Sequence, residues 1–240
     1  MNIVFLAAGK SSRIYNEVGK PKCLLKINNQ SIILNLLKNL KGLNFRKINI
    51  VVGFKSNLIK KELNKIKKIN FIYNRYYRSR EMLYSLILAL KKIDDDIIFS
   101  YTDIIYDRSI IERLVSKKNN IYLPILKNWK DIWIKRKKKI KLDAEDLQID
   151  KYGNLKAIGK KIKNISNVKY QFMGLLMINK ESKKDIIKLY NSTKNNKKIH
   201  LTQFLNLVVK KKINIKCLKY LKNWYEFDDI NDYLNYKKKF

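Results

Sequence analysis

A loop rich in glycine, lysine, serine and arginine follows the apolar start of the chain. Residues 5–25 read FLAAGKSSRIYNEVGKPKCLL, with Gly9 near the beginning of the loop and a Pro-Lys pair at its end. Glycine lets the backbone approach a ligand closely, and successive amides in such a loop can point inward at anionic oxygens. The stretch therefore predicts a phosphate site in which Arg13 and Lys22 supply fixed positive charge. A solvated basic turn is the alternative, and a Walker A loop is excluded because its pattern does not fit.

A carboxylate suited to metal binding follows a later apolar segment. Asp103 stands in FSYTDIIYD, just past the end of a predicted strand. Mg²⁺ prefers one or two carboxylates together with substrate oxygens, so Asp103 is the first candidate metal ligand. A helix N-cap or a turn residue is the alternative for this aspartate.

Two further acidic residues lie in a very basic neighbourhood. Asp143 and Glu145 follow the lysine-rich run 137–141. They suit a cationic group of a substrate, such as an amine or a quaternary ammonium, with Trp129 and Trp133 available for cation–π contact. Surface pairing with the lysine run is the equally weighted alternative.

The remaining candidates for metal or nucleophilic chemistry carry little weight. His200 is the single histidine and stands at a predicted helix start, where a structural role is expected. Cys23 and Cys217 lack metal-ligand spacing, and two cysteines in a chain of 240 residues suggest a reducing compartment.

The net charge of +34 raises the possibility of nucleic-acid binding. The charge is spread along the whole chain and comes mostly from lysine, whereas phosphate and base recognition relies on arginine. Coding bias toward lysine, asparagine and isoleucine is the simpler interpretation. A basic nucleic-acid-binding protein is retained as the alternative from another class.

Alternating strands and helices must position these residues. Predicted strands cover residues 2–7, 47–53, 69–73, 96–101, 120–126, 170–178 and 213–218, the sixth of them broken by Gly174. Predicted helices begin at Ser31 and about Ser56, surround Leu83 to Leu90, cover 181–191 and 200–210, and begin again near Asp229. Between about 130 and 160 the alternating polarity predicts antiparallel hairpins. These units predict an α/β chain, a parallel sheet with helices on both faces and a mixed second half.

The ordered motifs of this chain resemble the nucleotidyltransferase superfamily. The N-terminal signature of that superfamily is matched by Leu6-Ala7-Ala8-Gly9, Arg13 and Pro21-Lys22. Its phosphocholine cytidylyltransferase branch is matched by Asn74, Tyr84-Ser85-Leu86, Trp224 and Glu226-Phe227-Asp228. A phosphonate-pathway branch, which accompanies phosphoenolpyruvate mutase, is matched by Asp143-Ala144-Glu145, Gly153, Ile158-Gly159-Lys160 and Gly174. The matches extend from residue 5 to about residue 233.

The resemblance implies a fold, a reaction and a set of site residues. The implied fold is three-layered and Rossmann-like, with a mixed, mostly parallel sheet and a small antiparallel addition, in one domain of residues 1–240 divided near residue 125. The implied reaction is Mg²⁺-dependent transfer of CMP from CTP to a small phosphorylated or phosphonate acceptor in the cytoplasm, in cell-surface polysaccharide or phosphonate synthesis. Arg13, Lys22 and Asp103 are the implied catalytic residues, and Asp103 and Asp228 the implied metal ligands. The implied nucleotide contacts are Leu6, Ala7, Ala8, Gly9, Lys10, Ser12, Arg13, Lys22, Ser85 and Tyr101, and the implied acceptor contacts are Asp143, Glu145, Lys160 and Gly174.

Several alternatives stay open beside this interpretation. Asp229 and Asp232 lie close to Asp228, although they are more typical of a helix cap and first turn. Arg80-Glu81-Met82 replaces asparagine-type residues of the phosphocholine branch and weakens the case for CTP. Synthesis of a nucleotide sugar from a sugar 1-phosphate is the alternative reaction. A glycosyltransferase of the related fold lacks its Asp-x-Asp pair here. A homodimer is compatible with the resemblance, which fixes neither the oligomeric state nor the acceptor.

Overall fold

Short strands alternate with short helices along the chain. The computed structural model describes residues 1–136, 144–162 and 164–238. In these ranges the strands are β1 (Asn2–Ala7), β2 (Lys26–Ile27), β3 (Gln30–Ser31), β4 (Ile48–Val52), β5 (Ile69–Tyr73), β6 (Ile97–Tyr101), β7 (Ile104–Tyr106), β8 (Ile121–Leu126), β9 (Glu145–Ile149), β10 (Leu155–Lys161), β11 (Gln171–Phe172), β12 (Leu175–Ile178), β13 (Ile215–Tyr220) and β14 (Trp224–Glu226). The helices are α1 (Ser12–Val18), α2 (Ile32–Lys38), α3 (Ser56–Glu62), α4 (Met82–Lys92), α5 (Ser109–Val115), α6 (Trp129–Lys135), α7 (Lys183–Ser192), α8 (Leu201–Lys210) and α9 (Ile230–Lys237).

One mixed sheet forms the centre of the molecule. Its strand order is β11-β8-β12-β6-β1-β4-β5, and β13 pairs with β8 outside this path. Strands β6, β1, β4 and β5 pair in parallel, whereas β12 runs antiparallel to both β6 and β8. The predicted parallel half with a mixed addition is therefore confirmed.

Hydrophobic layers cover both faces of the sheet, because successive side chains of a strand point to opposite sides. Ile3 and Phe5 of β1 pack in one cluster with side chains from α2, α3 and α5. Val4 and Leu6 pack in the other cluster with side chains from α4, α7 and α8. Burial on both faces explains why β1 is apolar throughout and does not alternate with polar residues.

Two segments differ from their predicted structure. The loop after β1 contains helix α1, which buries Ile14 and ends at Gly19 in a left-handed conformation with φ of 63°. Helix α6 occupies the start of the region predicted as hairpins, because Trp129, Ile132 and Trp133 fall at i, i+3 and i+4 and are all buried. The antiparallel pair β9–β10 follows as predicted.

The described helices are short. The longest of them, α4, has 11 residues and spans about 16 Å, roughly half of a bilayer's hydrocarbon core. In the ranges that the structure describes, no helix is long and apolar enough to cross a membrane.

Candidate functional site

The carboxyl ends of β1 and β6 bring two loops together at one edge of the sheet. The strands are parallel neighbours, with Leu6 opposite Tyr101. The hydroxyl of Thr102 donates a hydrogen bond to the carbonyl oxygen of Leu6 at 2.9 Å, which ties the two strand ends to each other. In open α/β sheets this edge is where ligands bind.

The loop after β1 is closed by a contact between its two ends. Ser11 adopts a left-handed backbone conformation, with φ of 56°. Its hydroxyl oxygen accepts a hydrogen bond from the backbone N–H of Lys22 at 3.0 Å. Pro21 directly precedes Lys22 and has a restricted backbone angle φ. The backbone at Lys22 is therefore held both by this proline and by the hydrogen bond to Ser11.

A two-stranded ribbon brings two distant aspartates together. Strands β7 and β14 pair antiparallel, with Ile104 opposite Glu226. Asp103 directly precedes β7, and Asp228 follows two residues after β14. The backbone N–H of Phe227 donates to the carbonyl oxygen of Asp103 at 2.8 Å. The carboxylates therefore lie at the same end of the ribbon, beside the loop after β1.

Two basic side chains complete this cluster. The Nζ of Lys22 lies 3.1 Å from Oδ2 of Asp103 and 3.3 Å from Oδ1 of Asp228. The Nη1 of Arg13 lies 3.0 Å from Oδ2 of Asp228. The side chains of Lys22, Asp103 and Asp228 are 13%, 17% and 19% exposed, whereas that of Arg13 is 67% exposed. Arg13 thus lies at the solvent-exposed edge of the cluster, while the other three groups form a partly buried centre.

The carboxylates set the charge state of the central lysine. Burial by itself lowers the pKa of Lys22, but the charges of Asp103, Asp228 and Glu226 and the hydrogen bond to Asp103 outweigh it and raise the pKa above 10.5. The ammonium group therefore stays charged at physiological pH.

A first cavity of about 420 Å³ opens above the loop after β1. Several predicted site residues form its walls: Leu6, Ala7, Ala8, Gly9, Lys10, Ser12, Lys22, Ser85 and Asp103. The other walls are Ser11, Pro21, Cys23, Asn74, Tyr77, Arg78, Arg80, Glu81, Met82 and Thr102. The backbone of the loop after β1 and the cationic side chains in the walls of this cavity suit a triphosphate.

Close backbone packing shapes the far wall of the first cavity. The side-chain amide of Asn74 donates to the hydroxyl of Ser85 at 3.0 Å, and its carbonyl oxygen accepts from the backbone N–H of Tyr76. A Cβ atom added at Gly53 would lie 2.8 Å from the Cβ of Tyr77 and 3.0 Å from the carbonyl oxygen of Ala8. Glycine is required at position 53 because two walls of the cavity meet there.

Replacing Gly53 with alanine is expected to lower the free energy of unfolding by about 2 kcal/mol, because overpacking forces the backbone apart. Gly9→Ala is the control for stability, since a Cβ at Gly9 meets nothing within 4 Å. Thermal unfolding of both variants measures the difference. Equal melting temperatures would contradict the assigned packing.

A second cavity of about 260 Å³ shares Glu81 and Met82 with the first. Its other walls are Tyr101, Trp133, Glu145, Gln171, Phe172, His200, Leu201, Thr202, Glu226 and Asp228. The cavities meet at the aspartate cluster, because Asp103 lines the first and Asp228 lines the second. Ligands bound in the two cavities would therefore meet beside Lys22.

The carboxylate of Glu145 is held firmly in the second cavity. The side chain of Gln171 accepts from the backbone N–H of Glu145 at 3.1 Å and donates to its carbonyl oxygen at 2.5 Å. The hydroxyl of Thr202 donates to Oε1 of Glu145 at 2.9 Å. Burial raises the pKa of Glu145, and the bond from Thr202 and the nearby His200 only partly oppose that rise. A cationic ligand would relieve this cost of burial.

The second cavity differs in charge from the rest of the molecule. The chain carries 54 lysine and arginine residues, yet none of them is among the described walls of this cavity. Four of the walls carry carboxylates: Glu81, Glu145, Glu226 and Asp228. Aromatic rings of Tyr101, Trp133 and Phe172 lie between them.

The remaining predicted residues lie in different places. Tyr101, predicted at the nucleotide, lines the second cavity and not the first. Lys160 is exposed on β10, opposite Asp146, and is not among the described walls of either cavity. Gly174 has φ of 74°, and a Cβ there would lie 2.9 Å from the ring of Tyr101. Asp143 lies outside the described residues.

The structure also decides between the neighbouring acidic and basic candidates. Asp229 is the N-cap of α9 and forms a capping box with Asp232, as their positions predicted. His200 is the N-cap residue of α8, and its Nδ1 lies 3.3 Å from Oε2 of Glu81. Trp129 is buried in the core, where its ring N–H donates to the carbonyl oxygen of Val168. Trp133 alone of the two candidate tryptophans lines the second cavity.

Several cavity residues were not predicted from the sequence. Tyr77 and Arg78 belong to the segment RYYRSR, which concentrates arginine in a chain whose positive charge is mostly lysine. This local excess of arginine indicates a segment suited to binding anions. Thr102 precedes a predicted site residue, whereas Gln171 and Thr202 stand in ordinary strand and helix positions that carried no signal.

The carboxylates fit a metal that takes few protein ligands. Among the residues that the structure describes, no group of three or more histidine, cysteine or acidic side chains is arranged to hold a metal ion. Asp103 and Asp228 share one cation already, the ammonium of Lys22. Two carboxylates and no soft ligand suit Mg²⁺, which completes its shell with water and phosphate oxygens.

Comparison with known proteins gives a consistent picture. Residues 3–128 match the family model described as MobA-like NTP transferase domain. CTP:phosphoglutamine cytidylyltransferase of Campylobacter jejuni subsp. jejuni is 29% identical to this chain over 247 residues, which cover 97% of each sequence.

Solved structures share the architecture over nearly the whole chain. The inositol-1-phosphate CTP transferase of T. maritima has a TM-score of 0.80 at 19% identity and covers 99% of this chain and 95% of its own. The CTP:phosphocholine cytidylyltransferase of Streptococcus pneumoniae has a TM-score of 0.76 at 15% identity and covers 99% of this chain and 98% of its own. At these identities the likeness establishes a shared Rossmann-like fold.

Proposed function

We propose a reaction for this chain, which belongs to the family of MobA-like NTP transferase domains and is therefore a nucleotidyltransferase. The reaction is transfer of CMP from CTP to a small acceptor that carries a phosphate or phosphonate group, with release of pyrophosphate. The observation that carries the proposal is the cluster of Lys22, Asp103 and Asp228 where two cavities meet. One cavity takes the nucleotide, and the other takes the acceptor.

The first cavity suits the nucleotide. Residues of the loop after β1, Lys10 and Lys22 among them, line this cavity and would supply backbone amides and ammonium groups to the triphosphate. The cytosine ring would lie over Ala7 and Ala8, toward Ser85. A CTP-using relative that aligns over 97% of the chain supports cytosine as the base.

Mg²⁺ is the proposed cofactor, with Asp103 and Asp228 as its protein ligands. When bound, the ion neutralises charge on the phosphates and makes the α-phosphorus easier to attack. The chain's own cations act beside it. Lys22 is charged and fixed at the border of the cavities, and the exposed Arg13 can reach the β- and γ-phosphates.

The transfer needs no covalent enzyme intermediate. An oxygen of the acceptor's phosphate or phosphonate is ionised at pH 7 and forms a new bond to the α-phosphorus of CTP. The bond from the α-phosphorus to the bridging oxygen of the β-phosphate breaks, and pyrophosphate leaves with that oxygen. The protein supplies alignment and charge neutralisation, which are the main sources of rate in phosphoryl transfer.

The second cavity suits an acceptor with a cationic end, such as an aminoalkyl or quaternary ammonium group. Its carboxylates and aromatic rings are the groups that stabilise such a cation. We assign Tyr101 to this cavity, and Gly174 supports it by leaving room for the tyrosine ring. Lys160 and Asp143 remain proposed acceptor contacts on the resemblance alone.

Glu145→Gln is expected to raise the KM for an amine-bearing acceptor by about 10- to 100-fold, because a hydrogen-bonded charge partner is lost. The value of kcat and the KM for CTP should change little. Asp146→Asn is the matched control, since the neighbouring side chain points to the other face of β9 and pairs with Gln148. Steady-state kinetics with varied acceptor measures the effect. An equal shift in both variants would argue against a cation site.

Pyrophosphate release tests the proposed reaction as a whole. Each of the four nucleoside triphosphates is paired with phosphocholine, aminoethylphosphonate, other phosphorylated metabolites and sugar 1-phosphates, at several Mg²⁺ concentrations. We expect turnover with CTP and an amine-bearing acceptor. Turnover only with a sugar 1-phosphate would favour nucleotide-sugar synthesis instead. No turnover with any pair would overturn the proposal.

A further inference from the structure

We propose that Arg136 and Asp232 form a buried clamp that positions Asp228, the candidate metal ligand, and Glu226, a wall of the second cavity. This inference rests on the proposed function for the metal at Asp228 and for the acceptor beside Glu226. The clamp is buried and adjoins the aspartate cluster through the backbone N–H of Asp228. Its residues are positioning residues, which act through the groups that they hold.

The ion pair between the two residues is bidentate and fully buried. Arg136 follows α6, and Asp232 lies in the first turn of α9. Nε of Arg136 donates to Oδ1 of Asp232 at 3.0 Å, and Nη2 donates to Oδ2 at 3.0 Å. Both side chains are 0% exposed. Two parallel hydrogen bonds fix the relative orientation of both groups.

Asp232 holds the backbone of the candidate metal ligand. Its Oδ2 accepts from the N–H of Asp228 at 2.9 Å and from the N–H of Asp229 at 3.4 Å. Its own N–H donates to Oδ1 of Asp229 at 3.1 Å. The turn that carries Asp228 therefore takes its shape from a carboxylate that the guanidinium of Arg136 orients.

Arg136 contacts the acceptor side at the same time. Its Nη1 lies 3.1 Å from Oε2 of Glu226, a wall of the second cavity. Its guanidinium lies 4.9 Å from the ring centre of Trp133, another wall, and Trp133 stacks on Trp224 at 5.7 Å with an angle of 5° between the rings. One guanidinium thus contacts two walls of the second cavity and the carboxylate that holds the backbone of Asp228.

Stability alone does not account for this arrangement. A buried ion pair gains little over apolar residues of the same volume, because both charges must be removed from water. A planar fork that meets three carboxylate oxygens and a ring has geometric specificity that lysine lacks. The substitution of Arg136 by lysine keeps the positive charge and removes the planar fork, so it tests the role of the geometry.

The test compares Arg136→Lys with Arg113→Lys, an exposed arginine that donates to the carbonyl oxygen of Lys219. Mn²⁺ is titrated into each folded protein with CTP present and acceptor absent, and the bound metal is counted by electron paramagnetic resonance. We expect the Mn²⁺ affinity of Arg136→Lys to fall at least tenfold. The fluorescence of its clustered tryptophans should also shift. The control variant should match the wild type in both measurements.

Acceptor kinetics then tests the contact between Arg136 and Glu226. The acceptor KM of Arg136→Lys should rise about tenfold, with a weaker rise in Asp232→Asn, which keeps the volume of the side chain. A folded Lys or Asn variant with unchanged Mn²⁺ affinity would overturn the inference, as would failure of both variants to fold. Absence of turnover in the wild type would overturn the proposed function instead, and the Mn²⁺ titration would still decide on the clamp.

Discussion

Replacement of Asp103 by asparagine is expected to lower pyrophosphate release about 100- to 1,000-fold, because Asp103 is a proposed ligand of the Mg²⁺ that would neutralise the reacting phosphates. The amide keeps the size of the side chain and loses its charge. Lys22 keeps its second partner, Asp228. The variant should therefore fold, and its melting temperature should stay close to that of the wild type.

The control for Asp103→Asn is Asp185→Asn, an exposed aspartate of α7 that makes the same change in charge. Initial rates at saturating CTP and Mg²⁺ distinguish the two variants. A folded Asp103→Asn protein that turns over at the wild-type rate would remove Asp103 from the site. It would also remove the main support for the proposed reaction.

Lys22→Met is expected to have the second large effect. Transfer should slow by about 100- to 1,000-fold, because the cation at the border of the cavities is lost. Asp103 and Asp228 would then repel each other without an ammonium group between them. In a chelating buffer the melting temperature should fall by several degrees, and Mg²⁺ should restore more of it than in the wild type. Lys20→Met, an exposed neighbour in the same loop, is the control.

The pH dependence of stability provides an independent check on Lys22. Its pKa is raised above the ordinary value of 10.5 by the two aspartates. A group with a raised pKa contributes stability that is fully present below its unfolded value and is lost as pH rises through the folded value. The difference in stability between the wild type and Lys22→Met should therefore be constant up to about pH 10 and shrink above it. A difference that grows with alkaline pH would contradict the ion pairs.

The sequence supported the prediction of the fold better than that of the site. Strands such as β1 and β4 are apolar runs between clear turn residues, so period and composition identified them. The helix α6 was missed because lysines around it made the polarity look alternating, while its buried face depends on Trp129 and Trp133. Tertiary burial, which the local pattern does not reveal, decided that segment.

Most walls of the first cavity, which we propose for the nucleotide, could be singled out because they are close together in sequence. The loop after β1 supplies Gly9, Lys22 and several other walls of the first cavity. The order of these residues in the sequence is what pointed to a phosphate site. The second cavity, which we propose for the acceptor, draws on strands and helices that are far apart in sequence, such as β11 and α8. Gln171 and Thr202 acquire their roles from contact with Glu145, which only the folded structure shows.

The ribbon of β7 and β14 has a consequence for the order in which the protein is completed. It joins residues 104–106 to residues 224–226, so Asp228 is synthesised more than 100 residues after Asp103. During synthesis the strands β1, β4, β5 and β6 can pair before β14 has been made, because all four lie in the N-terminal half. The aspartate cluster must wait for a contact across more than 100 residues. A nascent chain can therefore form the loop after β1 well before it can hold both carboxylates, and competence for transfer should not appear until β14 has paired with β7.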